Sequence, residues 1–173
     1  MFDWFKKRVR TTARVSTDTS PNGVYSGLRQ QALSTNRIEI GMDAPSPETP
    51  VWGILMETGF EAVTVTLLAL CDGGTSLYFS NGGGIIGGHS HEAVRSANAA
   101  FLAEANRSLR SLKSCATFPI PELGHTVFYV LTDSGILSDD ALEKDLGYGR
   151  HPLSTLFHAG HAVISQLRLI SEP

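Results

Sequence analysis

The sequence predicts an α+β fold: a two-layer sandwich in which helices pack on an antiparallel sheet of four or five strands. Three apolar, β-branched segments follow one another with only short turns between them, which is typical of an antiparallel meander. Two longer stretches further along repeat apolar residues at helical spacing, and a fourth strand-like segment lies between them. The predicted order is short helix, three strands, long helix, strand and last helix.

The chain begins with a segment that we predict to be separate from the folded part. Residues 1–20 are expected to form a flexible aromatic-basic segment and linker, because 10–20 are polar and lack periodicity. Residues 21–173 are expected to form a single α+β domain, a length that suits one core. A short helix is predicted to open this domain, with Ser20 as its N-cap and Pro21 in its first turn.

The first three strands are predicted from their composition and from the turns that divide them. Segments 51–58 and 61–71 are rich in β-branched and apolar residues, and 59–60 between them suits a tight turn. Residues 72–74, Asp-Gly-Gly, are a hairpin signal before the third strand, Thr75–Phe79. The end of the second strand is apolar on both faces, as expected of a central strand.

The second half of the chain is predicted to hold two helices around one strand. Apolar residues recur at helical spacing over 90–113, and the serine at its start is expected to cap the helix. His125–Thr132 is predicted to be the fourth strand, whereas 133–150 is expected to be acidic and irregular. The last helix is predicted to begin at His151, and Gly160 within it is expected to permit close contact with another backbone.

The order of these elements is loosely similar to that of the roadblock/longin and profilin-like folds of small scaffold proteins. Three strands rather than two precede the long helix, however. The similarity is one of element order, and no motif or site residue follows from it.

The composition limits the classes of function. The net charge is −3 at pH 7, so the whole molecule offers no basic field for nucleic acid. No apolar run approaches the ~20 residues that span a bilayer, and the N-terminus lacks the apolar core of a signal peptide, so we expect a cytoplasmic protein. Cys71 and Cys115 are expected to be free thiols, and no cofactor is predicted.

A glycine-rich loop follows the third predicted strand. Five of the 17 glycines lie within 82–88, just before the long helix. Free backbone N–H groups that end at a helix N-terminus can hold an anion, so the loop is a candidate site for a phosphorylated or anionic small molecule. The alternative is a turning connection that binds nothing. The candidate ligand-binding residues are Gly82, Gly83, Gly84, Gly87, Gly88, His89, His91, Arg150 and His151.

The same loop matches the dinucleotide-binding pattern G-x-G-x-x-G over 82–87. That pattern requires a parallel βαβ unit and an acidic residue about 20 positions further on. Here the preceding strands predict an antiparallel meander, and Glu104 falls inside the long helix. We therefore do not predict a nicotinamide or flavin dinucleotide as a ligand.

Five histidines lie at or near the predicted helix starts. His89 and His91 flank the start of the long helix, whereas His151, His158 and His161 belong to the last helix. Histidines three residues apart on a helix can share a metal ion. No cysteine or glutamate is spaced to complete such a site, so no metal is predicted, and the sequence leaves open whether the five histidines converge.

The first ten residues combine aromatic and basic side chains. This combination is typical of a segment that docks on a partner or on a membrane surface, although two helical turns bury too little area to anchor a membrane alone. The alternative is a tail that packs on the protein itself. The candidate docking residues are Phe2, Trp4, Phe5, Lys6 and Lys7.

Two hypotheses of function follow from these features. The first is a small cytosolic interaction or scaffold module without enzymatic activity, acting as a homo-oligomer such as a homodimer or as a subunit of a complex. It rests on the lack of a complete catalytic set in the sequence and on the aromatic-basic N-terminus. The alternative is an enzyme or sensor that binds a phosphorylated or anionic small molecule at 82–88.

Overall fold

The computed structural model describes residues 20–42 and 50–171 of the 173-residue chain. The strands are β1 (Val51–Gly59), β2 (Thr64–Leu70), β3 (Thr75–Phe79), β4 (Gly84–Ile86), β5 (Lys113–Ser114), β6 (His125–Thr132) and β7 (Gly135–Leu142). The helices are α1 (Pro21–Ser34), α2 (Glu92–Ser108), α3 (Glu143–Gly147) and α4 (Ser154–Ser171). Single 3₁₀ turns lie at Gly88–Ser90 and Leu109–Ser111. The predicted aromatic-basic segment and linker lie outside the described residues, apart from Ser20.

The strands form one antiparallel sheet in the order β4-β3-β2-β1-β6-β7-β5. The mixed helix-and-sheet class is confirmed, and the four predicted strands are β1, β2, β3 and β6. The sheet has seven strands rather than the four or five predicted. The long strand β1 lies at its centre and pairs with β2 on one side and β6 on the other.

The three additional strands come from segments whose length or composition did not predict a strand. β7 contains Ser138, Asp139 and Asp140, residue types that are depleted in strands. It forms because the two residues between Thr132 and Gly135 close a hairpin with β6, and every residue of β6 then has a partner on β7. β4 and β5 have only three and two residues, and they gain their order by pairing with β3 and β7.

Helices cover both faces of the sheet, so the architecture has three layers rather than the two predicted. Alternate residues of each strand point to opposite faces. In β6, Phe128 and Val130 join the cluster that contains α2 and α4, whereas Tyr129 and Leu131 join the cluster that contains α1. We call these the α2/α4 face and the α1 face.

The α2/α4 face is the larger apolar core. Phe101 of α2 and Leu156 of α4 are fully buried against strand residues such as Met56. A Cβ on Gly160 would lie 2.6 Å from the Met56 sulfur and 3.2 Å from a carbon of the Phe101 ring. Gly160 therefore permits the close contact that its position predicted, but with side chains rather than with another backbone.

The starts of three helices test the predicted caps. Ser20 caps α1, since its hydroxyl oxygen accepts a hydrogen bond from the Gly23 amide at 3.2 Å. The predicted cap of the long helix is wrong, because Ser90 belongs to a 3₁₀ turn and His91 takes the N-cap position without a side-chain hydrogen bond. The last helix begins at Ser154, three residues later than predicted.

Candidate functional site

The glycine-rich loop is a β-hairpin rather than an open loop. After β3 the chain turns through 80–83 and returns as β4, which pairs with β3. Gly82 and Gly83 have φ values of 105° and 84°, a left-handed backbone that glycine adopts without strain. The Gly82 amide donates to the Phe79 carbonyl at 3.0 Å. Strand β4 and a 3₁₀ turn separate these residues from the N-terminus of α2, so Gly82, Gly83 and Gly84 do not lie at a helix start.

Two glycines of this region, one in the hairpin and one in the 3₁₀ turn, lie where a side chain would collide with a neighbour. A Cβ on Gly84 would lie 2.5 Å from the carbonyl oxygen of Leu77, so only glycine lets β4 lie this close to β3. A Cβ on Gly88 would lie 2.7 Å from the Leu167 side chain and 2.8 Å from that of Val94. Gly87, with a φ of 92°, turns the chain between β4 and the 3₁₀ turn.

The other candidate ligand-binding residues lie elsewhere. Arg150 belongs to the connection between α3 and α4, where its guanidinium pairs with Asp145 at 2.8 Å and lies over the Tyr148 ring. In His151, Nδ1 accepts a hydrogen bond from the Leu153 amide and Nε2 lies 3.8 Å from Asp139 of β7. Strands β2, β1 and β6 separate β7 from the β3–β4 hairpin, so the structure does not bring Arg150 and His151 to the glycine residues.

The histidines do not converge either. His89 and His91 are exposed at the start of α2, on the hairpin side of the sheet, and the His89 carbonyl accepts a hydrogen bond from Arg95. The His161 ring packs against Phe157 at a tilt of 58°, with ring centroids 4.3 Å apart, whereas the neighbouring His158 is exposed. Burial, and then the charge of His158, lower the pKa of His161. Among residues 20–42 and 50–171, no group of three histidine, cysteine or acidic side chains is arranged to hold a metal ion.

A buried polar cluster that the sequence analysis did not identify lies beneath α1. At its centre is Glu57 of β1, whose side chain is fully buried. Arg29 of α1 donates hydrogen bonds of 2.7–3.0 Å to both of its carboxylate oxygens. Thr66 of β2 donates to the carboxylate at 3.0 Å, and the Tyr25 hydroxyl lies 3.0 Å from the Thr66 hydroxyl.

Two further tyrosines complete the cluster. The Tyr129 hydroxyl donates to the carbonyl of Pro119 at 2.6 Å, and the same carbonyl accepts from Arg29 at 3.1 Å. Tyr78 lies opposite Thr66 in the sheet, and its buried hydroxyl makes no hydrogen bond within the described residues. We call six side chains together the α1 polar cluster: Tyr25, Arg29, Glu57, Thr66, Tyr78 and Tyr129.

The electrostatics of the cluster keep its tyrosines neutral and Arg29 charged. Burial, and then the negative charge of Glu57, raise the pKa of Tyr78 and raise that of Tyr129 to about 12, so both phenols stay neutral. Burial disfavours the charged form of Arg29, but the hydrogen bonds and charge of Glu57 outweigh burial and raise its pKa. The carboxylate is thus bound on both oxygens and out of contact with water, which does not suit a general base.

A cavity lies on each side of α1. The smaller, of about 220 Å³, is lined by Val24, Tyr25, Leu28, Tyr78, Phe79, Gly82 and Gly83. The larger, of about 470 Å³, lies between α1 and the segment that precedes β6, with Arg29 and Phe118 among its lining residues. The glycine hairpin therefore borders a cavity, but the lining of that cavity has no charged side chain to attract an anion.

Exposed apolar side chains are concentrated at one end of the sheet. The described residues include nine exposed large hydrophobic side chains, and four of them belong to segments that meet at this end. Backbone hydrogen bonds join these segments. The Gly124 amide donates to the Gly59 carbonyl at 2.8 Å, and the Glu143 amide donates to the Gly124 carbonyl at 2.9 Å. We call these four side chains the sheet-end patch: Phe60 (45% exposed), Ile120 (54%), Leu123 (69%) and Leu142 (38%).

The sheet-end patch has an acidic border. Glu61, Glu122 and Glu143 each adjoin one of its apolar residues in the sequence, and Asp140 lies on the same face of β7 as Leu142. Within 59–62, 120–124 and 140–144 the only basic residue is Lys144. His125 pairs with Asp140 at 2.8 Å. The patch thus combines apolar area with a local excess of negative charge.

No family model, curated protein or solved structure matches the chain. None of the helices within 20–42 and 50–171 is both long enough and apolar enough to cross a membrane.

The sequence held only weak signals for the features that the structure brings out. Glu57 is the single charged residue in an otherwise apolar strand, a position where a charge needs a partner. The sheet-end patch comes from three segments far apart in the sequence, so no window of residues displays it. The candidate docking residues Phe2, Trp4, Phe5, Lys6 and Lys7 lie outside the described residues.

Proposed function

We propose that the protein is an interaction module without enzymatic activity, which binds another protein chain through the sheet-end patch. It acts as a homo-oligomer or as a subunit of a complex. The observation that carries this proposal is the meeting of Phe60, Ile120, Leu123 and Leu142 at one end of the sheet, because clustered exposed apolar side chains with a polar border are typical of protein contact sites.

The arrangement of the polar side chains also supports an interaction module. The most buried charged pair, Arg29 and Glu57, lies in the α1 polar cluster, where both groups already have hydrogen-bond partners. The exposed histidines and Arg150 are spread over separate parts of the surface. In the sites described above, the one hydroxyl that donates to a carboxylate is that of Thr66 on Glu57, and it is fully buried, out of reach of a substrate.

Sedimentation velocity over a range of concentrations tests the proposal. We expect the wild-type protein to self-associate and the Leu123→Glu variant to associate at least tenfold more weakly, because a charge in the patch must be desolvated on contact. Leu169→Glu is the matched control: Leu169 is 65% exposed on α4, away from the patch. We expect this control to associate like the wild type. A wild-type protein that stays monomeric contradicts the homo-oligomer, and equal association of the two variants contradicts the patch.

A second candidate function is the binding of a small molecule beside the glycine hairpin, by a sensor or an enzyme. It is favoured by the cavity of about 220 Å³ between α1 and the hairpin, which Gly82 and Gly83 line. The uncharged lining favours a largely apolar ligand over the anionic one predicted from the sequence. Val24 lines this cavity and is half-exposed, so a Val24→Trp variant would narrow the cavity with its larger side chain.

Thermal unfolding against a panel of nucleotides, sugar phosphates, divalent metals and small apolar alcohols tests this second function. A ligand present at 100 times its dissociation constant adds about 2.7 kcal/mol to the free energy of unfolding. That gain shifts the melting temperature of a domain of this size by roughly 5–11 °C. A shift that Val24→Trp abolishes supports the cavity as a site, and a panel without any shift contradicts it.

A further inference from the structure

We propose that the sheet-end patch of one copy binds the aromatic-basic segment, residues 1–10, of a second copy. Two copies that exchange these segments form a closed dimer with two equivalent contacts. This inference rests on the proposed function, because it names the partner of the same patch.

Charge shows why the patch does not pair with itself. Glu61, Glu122, Asp140 and Glu143 border the patch, and Lys144 is the one basic residue among these segments. A two-fold dimer with patch against patch would bring two acidic borders together, and like charges across an interface oppose association. A homodimer that uses the patch therefore needs a basic element elsewhere in the chain.

Residues 1–10 have the composition that the patch requires. Phe2, Trp4 and Phe5 supply the large aromatic side chains that are enriched at the centres of protein interfaces. Four basic residues, from Lys6 to Arg10, follow them, with Asp3 as the one acidic residue. The segment thus offers apolar area to the patch and an excess of positive charge to its acidic border.

The length of the chain permits the exchange. α1 begins beside the glycine hairpin, because Val24 and Tyr25 line a cavity with Gly82 and Gly83. The antiparallel register places that hairpin and the sheet-end patch at the same end of the sheet. The start of α1 and the patch therefore lie at the same end of the sheet, which is the end that two exchanging copies would bring together. Ten residues, 11–20, connect the segment to α1, and a chain of that length spans up to ~35 Å when extended.

Complementation between two variants tests the exchange, with sedimentation velocity of the full chain as the measurement. The segment variant carries Lys6→Glu and Lys7→Glu, and the patch variant carries Leu123→Glu. We expect each alone to sediment at the monomer mass of 18.6 kDa. An equimolar mixture is expected to form a species of twice that mass, because one intact patch and one intact segment still meet between the two molecules. The association constant of the mixture should exceed that of either variant at least tenfold.

A charge control and a rescue complete the experiment. Arg110→Glu with Arg168→Glu makes the same change in charge at two exposed residues outside the patch and its acidic border, and we expect wild-type association. Glu61→Lys with Glu122→Lys, added to the segment variant, reverses the border and is expected to restore the dimer. A mixture that stays monomeric overturns the exchange, since each segment then binds its own patch or none.

The outcomes separate this inference from the proposed function. If Leu123→Glu is monomeric but the segment variant dimerises like the wild type, the patch is an interface and only the exchange is wrong. If Leu123→Glu also dimerises like the wild type, the proposed docking surface is wrong as well. A monomeric wild type that binds vesicles containing phosphatidylserine, and loses this binding with Lys6→Glu and Lys7→Glu, assigns the segment to membranes and overturns the exchange.

Discussion

The two faces of the sheet are built on different physical principles. On β1, Met56 points to the α2/α4 face and its neighbour Glu57 points to the α1 face, and both side chains are almost fully buried. Met56 packs among apolar side chains and lies against Gly160 of α4. Glu57 is instead held by hydrogen bonds from Arg29 and Thr66.

This difference shows how each layer is fixed. Apolar burial on the α2/α4 face is strong and non-directional, so it stabilises the fold but tolerates small shifts. The α1 polar cluster stabilises only one placement of α1, since a buried charge without its partner is costly. The cavities on both sides of α1 fit this reading, because the apolar contacts of Ala32 and Leu33 secure only part of the helix and specific hydrogen bonds fix the rest.

The largest effect is expected from Arg29→Met. This change leaves the carboxylate of Glu57 buried without its cation, and breaking a buried ion pair in this way costs about 3–5 kcal/mol. Urea denaturation at pH 7 measures the loss in the free energy of unfolding. The double variant with Glu57→Leu should recover most of it, because the uncompensated charge is gone. If the double variant is as unstable as the single, α1 is held by packing and the contrast between the faces is wrong.

Met56→Ala tests the opposite face at the neighbouring residue. We expect a loss of about 3 kcal/mol, from the lost burial and from the cavity left beside Gly160. The same denaturation experiment measures it. Gly160→Ala on the Met56→Ala background is expected to recover part of the loss, because the new methyl group occupies the vacated space. An additive loss in the double variant would show that these two residues do not share a packing contact.

Two tyrosines of the α1 polar cluster should respond in opposite directions to the same change. Tyr25→Phe removes a hydrogen bond to Thr66 and should cost about 1 kcal/mol. Tyr78→Phe removes a buried hydroxyl that has no partner among the described residues, so it should be neutral or stabilising by up to about 1 kcal/mol. Melting temperatures of the two variants are compared with the wild type. A loss with Tyr78→Phe equal to that with Tyr25→Phe would show that the Tyr78 hydroxyl has a partner in solution.

The smallest expected effect is a pH dependence from His161. Burial lowers its pKa, so the folded state binds this proton less well than the unfolded state, in which the pKa is about 6.5. Stability from this residue is therefore fully present above about pH 6.5 and is lost as the pH falls towards the lower folded pKa. His161→Leu should lose less stability between pH 7 and pH 5 than the wild type, measured by urea denaturation. His89→Leu, at an exposed histidine outside α4, is the control that should follow the wild type. If His161→Leu declines as steeply as the wild type, His161 does not contribute to the acid sensitivity.

The segments with a strong local pattern were predictable. β-branched and apolar runs identified β1, β2, β3 and β6, because each of these strands is buried and its composition reflects this. Ser20 and Pro21 located the start of α1, since capping depends on residues within one turn. The glycines at 82–88 predicted that the chain turns there, and the backbone does turn there in the hairpin between β3 and β4.

Pairing and burial between distant segments decided the rest. β7 becomes a strand despite its aspartates because β6 offers a free edge, and no local preference reports that edge. The strand order keeps Arg150 and His151 away from the glycine hairpin, and no local sequence pattern reveals that order. The partnership of Arg29 with Glu57, 28 residues apart, and the meeting of Phe60, Leu123 and Leu142 exist only once the sheet is assembled. Local composition thus determined the four strands with apolar, β-branched sequences and the main helices. The tertiary structure decided β4, β5 and β7 and the neighbours of every element, because contacts between distant residues depend on the whole folded chain.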